Sequence, residues 1–233
     1  MRVAISQSNF LPWKGYFDLI HDVDLFIFLD SVQYTKRDWR HRNYIKFHTG
    51  TRWIRASVHE DVSLKINQIQ FKDFPWQQEN WDLINQAYRK APFFAWVAPL
   101  LEEVFLAKKW ESLSDLNQFL IRRICADYLG IHTRFAQSSD FKATSAKQEL
   151  ILDLLKEVGA KTYISGPAAK AYIEETRFEK EKIRLIWKDY AGYPQYSQLW
   201  PPFEHAVSVV DLLVHVGPEA PFYIWGWREK AKG

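Results

Sequence analysis

Two short apolar runs, RVAIS at residues 2–6 and LFIFLD at 25–30, bracket a stretch of helical spacing, and this limits what the chain can fold into. Between them Tyr16, Phe17, Leu19 and Ile20 recur on one helical face, while neither run is long enough to be a helix itself. Strand, loop, helix and strand within about 30 residues form the βαβ signature. Open sheets built from such units place their ligands beyond the carboxyl ends of the strands. The loops after Ser6 and at Asp30 are therefore the first places to look for chemistry.

The rest of the chain extends the pattern. YIKFHTGTRWIRASV reads as a hairpin turning at His48-Thr49-Gly50, and INQIQF at 66–71 keeps an approximate alternation that predicts a strand. From Pro75 onward apolar residues recur at three and four. Pro75 opens a helix, and Pro92, Pro99 and the capping sequence SLSD at 112–115 divide the stretch into three. IHTRFAQSS, KTYISG and IRLIWKDY then read as strands. SAKQELILDLLKEVGA, PAAKAYIEE and HAVSVVDLLVHVGPEA read as helices, the first closed by Gly159 and the last by Gly217. The alternation predicts an α/β fold with a mainly parallel, Rossmann-like sheet. One α/β domain over residues 1–233 is expected, with 75–130 as a helical insertion or subdomain.

Composition narrows the class. A formal charge of +3 falls short of the basic excess of most nucleic-acid binders. A single cysteine, Cys125, excludes an internal disulfide and a cysteine-based zinc site, and it fits a reducing, cytoplasmic setting. No apolar run reaches the roughly 18 to 20 residues of a membrane span. Eleven tryptophans point to clefts or interfaces as well as core, and the aromatic tail FYIWGWREK is a candidate oligomer contact.

Four constellations could carry chemistry. In QSNFLPWKGYFDLI, Gln7 and Asn9 follow a strand end and Gly15 leads into a helix. The outline is similar to the nucleotidylyltransferases, but their His-x-Gly-His motif is absent; Trp13 and Tyr16 stand near its place, and neither does the work of an imidazole. SVQYTKRDWRHRNYIKF, beyond Asp30, sets Lys36, Arg37, Arg40, Arg42 and Asn43 among Tyr34, Trp39 and Tyr44. Guanidinium forks suit phosphate or carboxylate, although a charge run can equally be a solvated face. In TYISGPAAKAYI, Ser165 and Gly166 close a strand before a helix, so their N–H groups could form an anion nest with Lys170 nearby. In YPQYSQL and VSVVDLLVHVGPEA, Tyr196 and Gln198 precede Asp211, a carboxylate in an apolar helix that requires a cationic or hydrogen-bonding partner. His215 lies one turn on, without the third ligand a zinc site needs, and no metal is expected.

In this order, VAISQSNFLPWKGYFDLI, FLDSVQYTKRDWRHRNYIK, TYISGPAAKAY, YPQYSQL and VSVVDLLVHVGPEA resemble the WbqC-like family over nearly the whole chain. The resemblance implies a place in bacterial surface-polysaccharide (O-antigen) synthesis and assigns no mechanism. It carries over Gln7, Asn9, Tyr34, Lys36, Arg37, Arg40, Arg42, Asn43, Ser165, Gly166, Lys170, Tyr196, Gln198 and Asp211. The chain departs at Ser8, where the family usually has proline, and at His215, where it usually has asparagine. The reading expected is a transferase that modifies an activated, nucleotide-linked amino sugar, with an acyl or aminoacyl donor and no certain cofactor. Asp211, Asp30 and Tyr34 are its candidate catalytic groups, and a phosphate-bearing small molecule its substrate. The alternatives are a non-catalytic module binding a tRNA end and a nucleotidylyltransferase-like enzyme lacking the histidines.

Overall fold

The computed structural model describes residues 1–72 and 75–230. In chain order the strands are β1 (Arg2–Ser6), β2 (Leu25–Phe28), β3 (Arg42–Phe47), β4 (Gly50–Arg55), β5 (Arg134–Gln137), β6 (Thr162–Ser165) and β7 (Arg184–Trp187). The α-helices are α1 (Lys14–His21), α2 (Pro75–Tyr88), α3 (Phe94–Glu102), α4 (Leu113–Arg123), α5 (Lys147–Glu157), α6 (Glu175–Lys180), α7 (Val209–Val216) and α8 (Trp227–Lys230). Five strands form a parallel sheet in the order β5-β2-β1-β6-β7. The chain winds outward from β1 to β2 and β5, then returns to the other side of β1 for β6 and β7. This is the Rossmann winding, and its switch point lies between β1 and β6.

Both sheet faces are covered, as a parallel sheet requires. Ala4, Phe26 and Phe28 face a core shared with α1, the β3–β4 hairpin, α2 to α4 and α7. Val3, Ile5, Leu25 and Ile27, offset by one residue, face a second core built on α5 and α6. The hairpin stands apart as a two-stranded antiparallel sheet, turning at Gly50 with φ +117°. Its register pairs Arg42 with Arg55 and Tyr44 with Trp53. Those four residues share one face, while Asn43, Ile45 and Ile54 point into the core.

Two expected boundaries move. INQIQF is not a strand: Ile66–Gln68 form a 3-10 turn. Ile66 and Ile69 are both fully buried, and a three-residue turn sets them on one side where a strand would point them to opposite faces. Pro99 does not divide helices either, because it lies inside α3, where its carbonyl accepts from the Glu103 N–H and the helix continues. The breaks fall near Pro92 and at Ser112, whose hydroxyl caps α4 by accepting from the Asp115 N–H at 3.1 Å.

The aromatic tail folds back onto its own chain, apart from 231–233, which lie outside the described residues. Trp225 stacks on His21 at 3.9 Å, and Arg228 grips the buried Asp18 with both guanidinium nitrogens at 3.0 and 2.7 Å. Among the described residues no helix is long and apolar enough to cross a membrane.

Candidate functional site

The loops after β1 and β2 are stitched together. The Phe10 N–H donates to the Trp39 carbonyl at 3.0 Å, and the Asn43 amide donates to the carbonyls of Phe10 and Leu11 at 3.2 and 2.8 Å. Arg40 reaches the side chain of Gln7. The result is a cavity of about 290 Å³ walled by Asn9, Pro12, Trp13, Trp39, Asn43 and Ala206. Leu11, at φ +42°, and Arg37, at φ +56°, hold these loops in the left-handed region, a conformation that costs non-glycine residues free energy and gathers at functional sites.

A second hollow opens beside it. Lys36, Arg37, Arg42, Arg55 and Lys72 line a cleft of about 620 Å³ against two carboxylates, Glu60 and Glu79. Trp53 joins the two hollows. The Trp39 ring lies 5.8 Å from it and the Arg42 guanidinium 4.2 Å above it. Arg42 also donates to the Arg37 carbonyl at 2.6 Å, while its buried Nε has no partner among the described residues. Arg40 plays another part. It is 5% exposed and spent on Asp38, Thr35 and Gln7, so it braces the loop rather than facing the cleft.

The candidate carboxylates are also tied down. Asp30 accepts from the Ser8 N–H at 2.9 Å, the Ser114 hydroxyl at 2.5 Å and the Gln118 amide at 3.1 Å, all neutral donors, and it lines neither hollow. The departure at Ser8 acquires a reason here, since proline would have no N–H to give Asp30. Tyr34 is buried with its hydroxyl 2.8 Å from His41 Nδ1, and burial holds the phenol well above its ordinary pKa. His41 lines the cleft; burial first, then Arg42 and Arg55, lower its pKa, against Glu60 and Asp38.

Ser165, Gly166 and Lys170 line neither hollow. Gly166 is extended at φ −68° and ψ 151°, so the expected anion nest, which alternates right- and left-handed residues, is not formed there. Tyr190 and Trp13, whose rings meet at 5.2 Å, stand between this turn and the cavity. Lys170 instead lies 5.6 Å over Trp187.

Asp211 is fully buried, and its Oδ1 accepts from the Tyr196 hydroxyl and the Gln198 amide, both at 2.7 Å. The required partners are thus hydrogen-bond donors. His215 Nε2 accepts from the Leu199 N–H at 3.0 Å, so Nδ1 carries the hydrogen and donates to the Asp211 carbonyl at 2.6 Å. This pins the 194–199 segment against α7. Among the described residues no cluster of three metal-ligating side chains occurs.

Lys14 lies at the centre of this group and was missed in the sequence. It is 3% exposed, with one long hydrogen bond, 3.5 Å to the Pro194 carbonyl, and the rings of Tyr193, Tyr196 and Phe203 at 5.0, 5.4 and 5.9 Å. Burial pushes its pKa down to about 8, against the attraction of Asp211. Its place as first residue of α1 adds the positive end of a helix dipole. Nothing in Pro-Trp-Lys-Gly-Tyr-Phe marks it, because a lysine at the start of a helix ordinarily reaches water. Arg55 was missed too, although the hairpin register opposite Arg42 implies it.

Comparison with known proteins places the chain. The WbqC-like protein family matches residues 7–223. The uncharacterized protein Rv1507c of Mycobacterium tuberculosis is 44% identical over 225 residues, covering 96% of this chain and 97% of that protein. No solved structure matches.

Proposed function

The chain belongs to the WbqC-like protein family, and on that footing we propose that it is a transferase of bacterial surface-polysaccharide synthesis, moving an acyl or aminoacyl group onto a nucleotide-linked amino sugar. The observation that carries this reading is the ladder Trp39, Trp53, Arg42, which joins an aromatic cavity to a cationic cleft. A sugar or base ring suits the faces of Trp13 and Trp39, amides at Asn9 and Asn43 suit ring hydroxyls, and the cleft suits the phosphates. Acyl transfer to an amine also needs a group that takes a proton near neutral pH. Lys14, next in the chain to the cavity-lining Trp13, meets that need better than Asp30, whose oxygens are occupied.

Nucleotide-diphosphate amino sugars should raise the melting temperature by mass action. At a hundredfold excess over Kd the gain is about 2.7 kcal/mol, or about 5–10 °C for a chain of this size. Trp39, 46% exposed, can be replaced by alanine without disturbing the core, and Trp39→Ala should remove the rise while leaving the unliganded melting temperature in place. No rise with any activated sugar would reject the proposal. The exposure of Trp39 beside cations also favours a second reading, stacking of a tRNA end, which demands binding that weakens steeply with salt.

A further inference from the structure

The cationic cleft holds more than charge. His41 is 5% exposed and forms part of the lining. The Tyr34 hydroxyl, 1% exposed, has His41 Nδ1 as its hydrogen-bond partner at 2.8 Å. A buried hydroxyl must place its hydrogen on an acceptor, so Tyr34 donates to Nδ1 and the ring carries its own hydrogen on Nε2. Among the described residues nothing in the protein pairs with Nε2. The cleft thus contains an oriented N–H donor beside cations that make no ion pair among the described residues, where the buried Arg42 Nε is also without a partner.

We infer that this cleft is a diphosphate site in which His41 Nε2–H, set by Tyr34, donates to the bound phosphate while Arg42, Arg55 and Lys72 supply the charge. This rests on the cleft being the phosphate side of the transferase site, and it adds His41, Arg55 and Lys72 to that side. Two surrounding carboxylates against five cations favour a multiply charged anion over a single carboxylate. At about 620 Å³ the hollow is the size of a small-molecule site.

A proton linkage follows. Without ligand the imidazole faces Arg42 and Arg55, which disfavour its cation, and Glu60 and Asp38, which favour it, with Lys36, Arg37, Lys72 and Glu79 around the same cleft. Binding a diphosphate adds negative charge at Nε2–H and raises the affinity of Nδ1 for a proton, which the ring takes up there as the Tyr34 hydroxyl turns from donor to acceptor. Relative to a variant without the imidazole, binding must then tighten as pH falls through the histidine range.

The experiment is calorimetric titration of the full chain with inorganic pyrophosphate between pH 6 and 8, in two buffers of different ionisation enthalpy. The parent should take up more protons on binding than His41→Gln, a difference in which the ionisation of pyrophosphate itself cancels. Arg55→Gln, on the outer face of the hairpin, should weaken binding about tenfold or more, as expected for a lost charge-assisted bond. His41→Gln should still bind with that extra uptake lost, and histidine resonances in the parent read the same ionisation should that variant fail to fold. Equal proton exchange in the parent and His41→Gln, binding unchanged in Arg55→Gln, or no binding would each overturn the inference. If pyrophosphate fails while activated sugars still raise the melting temperature through Trp39, the inference falls and the transferase reading stands. If pyrophosphate binds as described and no activated sugar does, the inference stands and that reading falls.

Discussion

Replacing Lys14 with methionine should stabilise the protein, which few substitutions of a buried polar residue do. Methionine keeps the aliphatic stem packed against Tyr193, Tyr196 and Phe203 and removes only the amine. The folded structure lowers the lysine pKa from 10.5 to about 8. At about 1.36 kcal/mol per unit, holding the cation there costs about 3 kcal/mol at pH 7. Lys14→Met should recover most of that, a rise of about 6–12 °C in melting temperature. The pH dependence carries the sharper test. Between about 8 and 10.5 the unfolded lysine holds its proton while the folded one has lost it, so the parent's stability rises with pH across that window. Methionine does not titrate, and the gap between variant and parent should close as pH is raised from 7 to about 10. Denaturant unfolding followed by circular dichroism at the two pH values measures it. A folded variant no more stable than the parent at pH 7, or a gap that ignores pH, would refute the reasoning. A cost of this size, kept in place, is what a working amine at a functional site requires.

Three further outcomes are expected. Asp18 is fully buried between Lys188 and Arg228, so Asp18→Ala strips Arg228 of its carboxylate and leaves Lys188 with Asp22, and it should cost about 3–5 kcal/mol in denaturant unfolding. Although burial works to raise the Asp22 pKa, the neighbouring His21 ring, 3.8 Å away, and a hydrogen bond from Lys188 lower it from 3.8 to about 2. Its contribution of about 2 kcal/mol should be present above 3.8 and lost as pH falls through about 2, so the parent's advantage over Asp22→Asn should close in acid titrations. A Cβ at Gly15 would come within 2.2 Å of the Trp13 ring, which lines the cavity. Gly15→Ala should therefore cost about 1–3 kcal/mol and abolish the thermal shift with activated sugars.

Much of the fold is legible in periodicity. The alternating short strands and amphipathic helices announce the parallel sheet, and the turn at Gly50 dictates the hairpin register. Periodicity is silent on pairing between distant segments. Asp30 ends a strand as a catalytic carboxylate would, yet Ser114 and Gln118, on a helix far along the chain, occupy its oxygens. Arg40 sits within a run of cations and is turned inward by Asp38 and Gln7, while its neighbours Arg37 and Arg42 line the cleft. Lys14 was hidden for the opposite reason, because a lysine at the start of a helix ordinarily reaches water, and only the ring cluster from 193–203 encloses it.

The most direct test is a crystal structure of the protein with a nucleotide-diphosphate amino sugar. The ring should lie between Trp13 and Trp39, with the phosphates within hydrogen-bond reach of Arg42 and Arg55. Ligand bound at the Ser165–Lys170 turn, or anywhere that leaves both hollows empty, would contradict the site.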